Sequence, residues 1–464
     1  GQVPLGLMGN DAFQEVDIVG ITNSICKYAV TVRTREELPK ILKEAFYIAR
    51  TGRPGPVVVD IPKDIQQAEE YPTEVSIRGY KPNDSVHVGQ IKKACTLLKR
   101  AKKPLFLLGG GVNIAGANEV MLKLAEYTQI PVITTIMGKG SIPTTHDLYL
   151  GNIGIHGSYA ANHAVSECDV LFSIGTRFND RITGKISEFA KHAKIIHIDA
   201  DSASISKNIV VDIPIVADAK LAIEKLLEYV SPSKAEKWLE QVTEWKKANP
   251  INMDKYEGLT PEKVIRYINE NIKHPIVATD VGQNQLWTTQ YLELESNHQF
   301  LTSGGLGTMG YGLGAAIGAK CGCPDKVVVN IAGDGCFRMN MNEIATATRS
   351  EIPVIEVVVN NHVLGMVRQW QNLFYGERYS STTLYDKVDF VKLAEAMGAK
   401  AKRVETIEEF EAAFKEAVAS NEPYLLDCII DSDDKVWPMV APGGSISDAF
   451  NEEDLEKQKQ EESK

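Results

Sequence analysis

Short β-branched and apolar runs alternate with helical patterns along nearly the whole chain, and this alternation most constrains the fold. The runs are PVVVDI, PLFLLGG, PVITT, DVLFSIG, AKIIHID, PIVATD, QFLTS, KVVVNIA, PVIEVVVN and YLLDCII. Each is strand-length, and most end at Gly, Asp, Asn, Ser or Thr. Continuous apolar strands separated by helices are buried on both faces and joined by right-handed crossovers, so their sheets are parallel. The expected class is α/β, built as doubly wound parallel-sheet domains.

A chain of 464 residues calls for more than one such domain. Residues 1–72 hold one amphipathic helix, Glu36–Thr51, and one strand, PVVVDI, which is too little for a complete α/β domain. The first domain is therefore expected to be only partly present. The polar stretch Gln66–Ser85 reads as a linker. A second domain is expected over 73–235, then a charged helical linker ending at Pro250, and a third domain over 255–432. The tail 433–464 ends in NEEDLEKQKQEESK, which should fray or stay disordered.

The net charge of −11 argues against a nucleic-acid partner. No apolar run approaches the ~18 residues of a membrane span. The seven cysteines are scattered and odd in number, which fits a reducing compartment. Cys321-Gly322-Cys323 has no second pair and no nearby histidine, so it is not expected to bind zinc.

The chemistry is concentrated in VVVNIAGDGCFRMN, residues 327–340. A buried strand stops at Gly333-Asp334-Gly335, a helix fits Phe337–Ser350, and PVIEVVVNN follows as another strand. In this βαβ unit Asp334 and Asn361 fall at the carboxyl ends of parallel, adjacent strands, the edge where α/β sheets bind ligands. A carboxylate and an amide oxygen are hard ligands for Mg²⁺, which completes its shell with water and phosphate oxygens. The flanking glycines admit a bulky group, and the helix N-terminus favours an anion. The set reads as a Mg²⁺-diphosphate anchor; the plainer alternative is a turn followed by an Asn-rich loop.

In the second domain PLFLLGGG puts three glycines after a strand, where a phosphate or a flat ring could approach the backbone, although the spacing is not G-x-G-x-x-G. GTRFNDR places Arg177 and Arg181 beyond another strand end, where paired guanidiniums can hold a diphosphate. Asp199, in HIDAD, can accept ribose or amide hydrogen bonds. Together these suit an elongated, anionic dinucleotide; singly, each also reads as loop charge.

GDG followed by NN at this spacing resembles the thiamine diphosphate-binding motif of the pyruvate decarboxylase-like superfamily. DAFQE, GRPGPVVVDIPKD, GTRFNDRITG, VGQNQLW, TSGGLGTMGYGLGAAIGA and NNHVLGMVRQW, in that order, resemble the catalytic large subunits of acetolactate synthases. The resemblance implies three domains of the thiamine diphosphate-enzyme type and three cofactors: thiamine diphosphate, Mg²⁺ and FAD. It implies metal ligation by Asp334, Asn361 and the carbonyl of Val363, with Gln283, Gly333 and Gly335 beside the cofactor. Met309 would prop the cofactor in a bent shape, with Gly305 and Gly307 allowing the close packing. FAD, structural rather than turned over, would rest on Gly109, Gly110, Gly111, Thr135, Arg177, Asp180, Arg181, Asp199 and Asp218, with Arg53 reaching in from the first domain. Phe13, Gln14, Lys63, Met366 and Trp370 would shape the acceptor side, although a tryptophan at 370 also suits simple packing.

The implied reaction decarboxylates pyruvate and ligates the two-carbon unit to a second 2-oxo acid, pyruvate or 2-oxobutyrate, at the entry to branched-chain amino acid biosynthesis. The implied assembly is a homodimer or homotetramer with a regulatory small subunit, cytoplasmic or in a plastid or mitochondrion. The alternatives are a flavin-using relative such as a pyruvate oxidase, an FAD-free catabolic acetolactate synthase, and a chain that holds cofactors without doing chemistry. The GTRFNDR loop speaks against the FAD-free form. Gly314 stands where the family usually has Pro, and Asn179 where an acid is common. The family's general acid/base glutamate belongs upstream of GQVP, so this chain by itself is expected to have negligible activity.

Overall fold

The computed structural model describes residues 2–69, 71–72, 74–77, 85–296, 299–384 and 387–462. Parts of the expected linker Gln66–Ser85 lie outside these residues; those described within 71–77 carry no helix or strand. Among the described residues, no helix is long and apolar enough to cross a membrane.

Among the described residues three parallel sheets form. In the first, β1 (Tyr28–Thr31) pairs with β2 (Val57–Asp60) in parallel, connected by helix Leu38–Arg50. That helix turns Ile41 and Ala45 inward, as its amphipathic spacing requires.

The central sheet contains β3 (Pro104–Leu108), β4 (Val132–Thr134), β5 (Tyr149–Asn152), β6 (Val170–Ile174), β7 (Lys194–Asp199) and β8 (Ile213–Val216). Their order is β5-β4-β3-β6-β7-β8, and all pairs are parallel. β3 and β6 are buried along their whole length, as expected of a doubly covered sheet. The third sheet contains β9 (Ile276–Thr279), β10 (Phe300–Thr302), β11 (Val328–Gly333), β12 (Ile355–Asn360), β13 (Lys400–Val404) and β14 (Tyr424–Ile429). Its order is β10-β9-β11-β12-β14-β13, again all parallel.

In the central sheet the chain winds outward in one direction and then in the other; in the third it does the same, except that β13 takes the edge before β14 returns to lie between it and β12. The reversal falls between β3 and β6 in the central sheet and between β9 and β11 in the third. Helices on either side diverge there, leaving a crevice beyond the strand ends.

Four strands carry no clear sequence signal: β1, β5, β8 and β13. All four lie at a sheet edge, where short and partly polar strands are tolerated. The expected helix Phe337–Ser350 is in fact three pieces, Asp334–Asn340, a 3₁₀ turn Met341–Glu343 and Ile344–Arg349. It begins at Asp334 itself.

The charged segment before Pro250 is more than a linker. Its helix, Glu236–Ala248, buries Trp238 and Val242 in the central core, and Trp238 Nε1 donates to the Pro104 carbonyl (3.0 Å). The tail also differs from expectation. Ile446 is buried in the central core, and Val440 N donates to Ile155 O (3.0 Å). Beyond it Glu452–Glu462 is helical, tied by a Lys255–Glu453 ion pair (2.7 Å). Sparse long-range contacts of this kind leave no periodic trace in a polar sequence.

Candidate active site

The crevice of the third sheet gathers the ends of three neighbouring strands. Gln283 and Asn284 follow β9, Asp334 follows β11, and Asn361 follows β12. They enclose a cavity of about 110 Å³, also lined by Met309, Val363, Gly365 and Met366.

Asp334 opens helix Asp334–Asn340 and is 1% exposed. Its Oδ2 is buried with no hydrogen-bond partner. Burial pushes the carboxyl up to about 6, against the opposing pull of Arg338. A buried, unpartnered carboxylate is costly unless a cation or donor completes it. Asn361 faces it with its amide oriented: Nδ2 donates to Gln283 Oε1 (3.3 Å), and Oδ1 accepts from Val363 N (3.2 Å). The side-chain donors are oxygens, which fits a hard divalent cation. Among the described residues no cluster of three or more His, Cys, Asp or Glu forms, so the site suits a cation that takes few protein ligands.

Glycines keep this space open. A Cβ at Gly365 would lie 1.8 Å from Gln283 Oε1, and one at Gly335 would lie 2.6 Å from Leu364 Cδ2. Gln283 is fixed by donating Nε2 to Gln369 Oε1 (3.0 Å) and Asp434 O (2.9 Å). Asp280, at the end of β9, accepts from Gly310 N (2.6 Å) and Tyr311 N (2.9 Å), which pins the loop carrying Met309. The same loop turns at Gly307, whose φ is +74°. Asp280, Asn284 and Gly365 are the residues that sequence reasoning missed. The ATDVGQNQ run after a strand, and a Gly one turn beyond NN, were the signals available.

The acceptor-side set is not gathered in one place. Met366 lines the cavity, whereas Trp370, one turn further, is half-buried edge-to-face on Phe374 (5.4 Å) and outside the lining. Phe13 is 88% exposed on the first unit, and Gln14 and Lys63 are exposed there too, none of them at the cavity.

The crevice of the central sheet holds a larger cavity of about 480 Å³. Gly110, Gly111, Thr135, Arg177, Arg181, Asp199 and Asp218 line it, Arg53 enters from the first unit, and Gly304 and Gly305 from the third. Gly109 acts from behind: its N–H donates to Ile174 O (2.9 Å), and a Cβ there would meet Gly175 O at 2.1 Å. A Cβ at Gly111 would meet Gly175 Cα at 2.6 Å. The loops after β3 and β6 therefore interlock backbone to backbone. Arg53 pairs with Asp201 (3.4 Å). Burial raises the Asp199 carboxyl, although Oδ1 accepts from Asp201 N (2.8 Å). Asp218 also caps helix Ala219–Leu227 by accepting from Leu221 N (3.1 Å). Asp180 is outside the lining, exposed and paired with Arg181 (3.7 Å). Thr176 Oγ1 and Asn179 Oδ1 are buried without partners at the wall. Arginines, a glycine-lined floor and unmatched polar atoms fit a flat, phosphate-bearing ligand.

Residues 91–226 match the family described as thiamine pyrophosphate enzyme, central domain, and residues 280–428 match thiamine pyrophosphate enzyme, C-terminal TPP binding domain. A probable acetolactate synthase large subunit of Methanocaldococcus jannaschii is 48% identical, across 96% of this chain and 78% of the relative. The acetolactate synthase large subunit of Corynebacterium glutamicum is 45% identical, across 97% of this chain and 74% of its own length. That of the red alga Pyropia yezoensis is 40% identical, across 96% and 78%.

Proposed function

The chain belongs to the acetolactate synthase large-subunit family, and from that membership we propose that it binds thiamine diphosphate through Mg²⁺ and joins two 2-oxo acids. The observation that carries the metal is the buried, unpartnered Asp334 Oδ2 facing Asn361 across adjacent strand ends.

In this reading Asp334, Asn361 and the Val363 carbonyl would hold the cation, and the start of helix Asp334–Asn340 would favour the diphosphate. Bound thiamine diphosphate supplies the carbanion chemistry that no side chain provides. Gln283 keeps the Asn361 amide turned toward the metal. Met309, fixed through Asp280, packs against the cofactor. Met366 faces the cavity on the acceptor side and excludes water. The central cavity takes FAD, with Arg53, Arg177 and Arg181 on the diphosphate. Pyruvate is the donor, pyruvate or 2-oxobutyrate the acceptor, and a regulatory small subunit the partner that the relatives' names suggest.

The test is calorimetric titration of FAD-treated protein with thiamine diphosphate, with and without Mg²⁺. Saturable, Mg²⁺-dependent binding is expected, and Asp334→Ala should abolish it. Unchanged affinity in that variant overturns the anchor. 2-Acetolactate among the products formed from pyruvate would favour the synthase reading; a flavin bleached by pyruvate would favour the oxidase-like alternative.

A further inference from the structure

Where the central and third units meet, another cavity of about 300 Å³ shares no lining residue with either cofactor cavity. This is at the lower end of the ~300–1,000 Å³ of small-molecule sites. Lys139, Lys246 and Arg266 line it against one carboxylate, Glu293. Two of the three cations have protein partners: Lys246 Nζ donates to Tyr149 O (2.6 Å), and Arg266 Nε pairs with Glu262 Oε1 (2.7 Å). Lys139 is 5% exposed, and its ammonium makes no hydrogen bond or ion pair among the described residues. It feels the Glu293 charge without touching it. A buried ammonium is retained at such cost where a counter-charge is to be met.

The remaining walls do not supply that charge. His156 Nδ1 donates to the Pro438 carbonyl (3.1 Å), and burial pushes the ring down to about 4, so it is neutral. Burial also keeps Tyr149 and Tyr291 protonated. Gln290 Nε2 donates to His156 O and Trp437 O, leaving Oε1 buried and unmatched. With Glu262 counted beside Arg266, three cations face two carboxylates here, an excess of one positive charge, together with one amide acceptor.

We propose that this cavity binds a small oxyanion of charge −2 or greater, a phosphate or a di- or tricarboxylate, held by Lys139 with Lys246 and Arg266. The site joins two domains, so its occupant would fix their relative placement. Burial holds the Lys139 ammonium down to about 7. A bound dianion restores its charge, and binding at slightly alkaline pH therefore takes up a proton.

The experiment is calorimetry on protein saturated with thiamine diphosphate, Mg²⁺ and FAD, so that both cofactor cavities are filled. Inorganic phosphate and citrate are titrated separately at constant ionic strength, in buffers of different ionisation enthalpy. Saturable binding with a buffer-dependent enthalpy is expected for at least one probe. Tighter citrate binding identifies the polycarboxylate class, and phosphate alone the phosphate class. Lys139→Met should weaken binding at least about tenfold. Glu293→Gln, at an exposed position, should strengthen it even if the Lys139 variant folds poorly. Absence of saturable binding by both probes, or unchanged affinity in Glu293→Gln and in folded Lys139→Met, overturns the proposal.

Discussion

Gly365→Ala tests whether the glycine after the Asn361 loop is there to keep the metal ligands aligned. The new methyl would sit 1.8 Å from Gln283 Oε1, 2.7 Å from its Cδ and 2.8 Å from Asn361 Nδ2. Carbon contacts settle near ~3.5–4.0 Å, so Gln283 must swing away. That movement breaks its bonds to Gln369 Oε1 (3.0 Å), Asp434 O (2.9 Å) and the Asn361 amide (3.3 Å). Two or three hydrogen bonds at ~1 kcal/mol each come to about 2–3 kcal/mol. If this loss falls on the orientation of Asn361, thiamine diphosphate affinity drops roughly 30- to 150-fold. Gly365 begins helix Gly365–Phe374, and alanine there has the better helix propensity, by up to ~1 kcal/mol. Overall stability should therefore fall by about 1–2 kcal/mol, the hydrogen-bond loss less the propensity gain, while cofactor affinity falls as well. The assay is calorimetric titration at saturating Mg²⁺. Gly314→Ala is the control, because a Cβ there meets nothing within 4 Å; it should bind the cofactor like the parent. Parental affinity in Gly365→Ala refutes the reasoning.

Glu356, fully enclosed in β12, accepts from Asn330 Nδ2 on both oxygens (3.0 and 2.9 Å), and burial raises its carboxyl well above 4.5. The folded state then binds a proton that the unfolded state has released, so this group's stabilisation is complete below about pH 4.5 and is lost as pH rises toward its folded value. Relative to Glu356→Gln, the parent should lose about 1.4 kcal/mol per pH unit within that window; parallel stability–pH curves for the two proteins would disprove it. Gly111→Ala forces a Cβ to 2.6 Å from Gly175 Cα, backbone against backbone, and should strip FAD from the purified protein; a fully flavin-loaded variant by absorbance would contradict this. Trp370→Leu should leave thiamine diphosphate affinity unchanged, because Trp370 packs on Phe374 outside the cavity; a weakened titration would move it into the cofactor site.

The fold class was legible in the residues alone, and so were the candidate ligands at the strand ends. Continuous apolar runs can be buried only between helix layers, so parallel sheets follow. The G-D-G and N-N punctuation marks the ends of β11 and β12 because glycine and short polar residues are what a tight strand-to-helix passage accepts. Beyond β11 and β12, whose adjacency the βαβ unit predicts and the sheet shows, sequence patterning did not reveal which strand ends become neighbours. Edge strands such as β5 and β13 are short and mixed in polarity, so their place in each sheet is not legible. Nor did it show that Asp280 holds the Met309 loop, that Gly365 clears space for Gln283, or that Ile446 returns to the central core. Lys139 shows the difference most clearly. In the sequence it is one lysine among the 50 Lys and Arg residues, expected at the surface. Its burial is set by residues 107 to 154 positions further on, which helix Glu236–Ala248 and helix Gln283–Tyr291 bring against it. Local propensity carries no information about such partners; only the packing of the two domains supplies it.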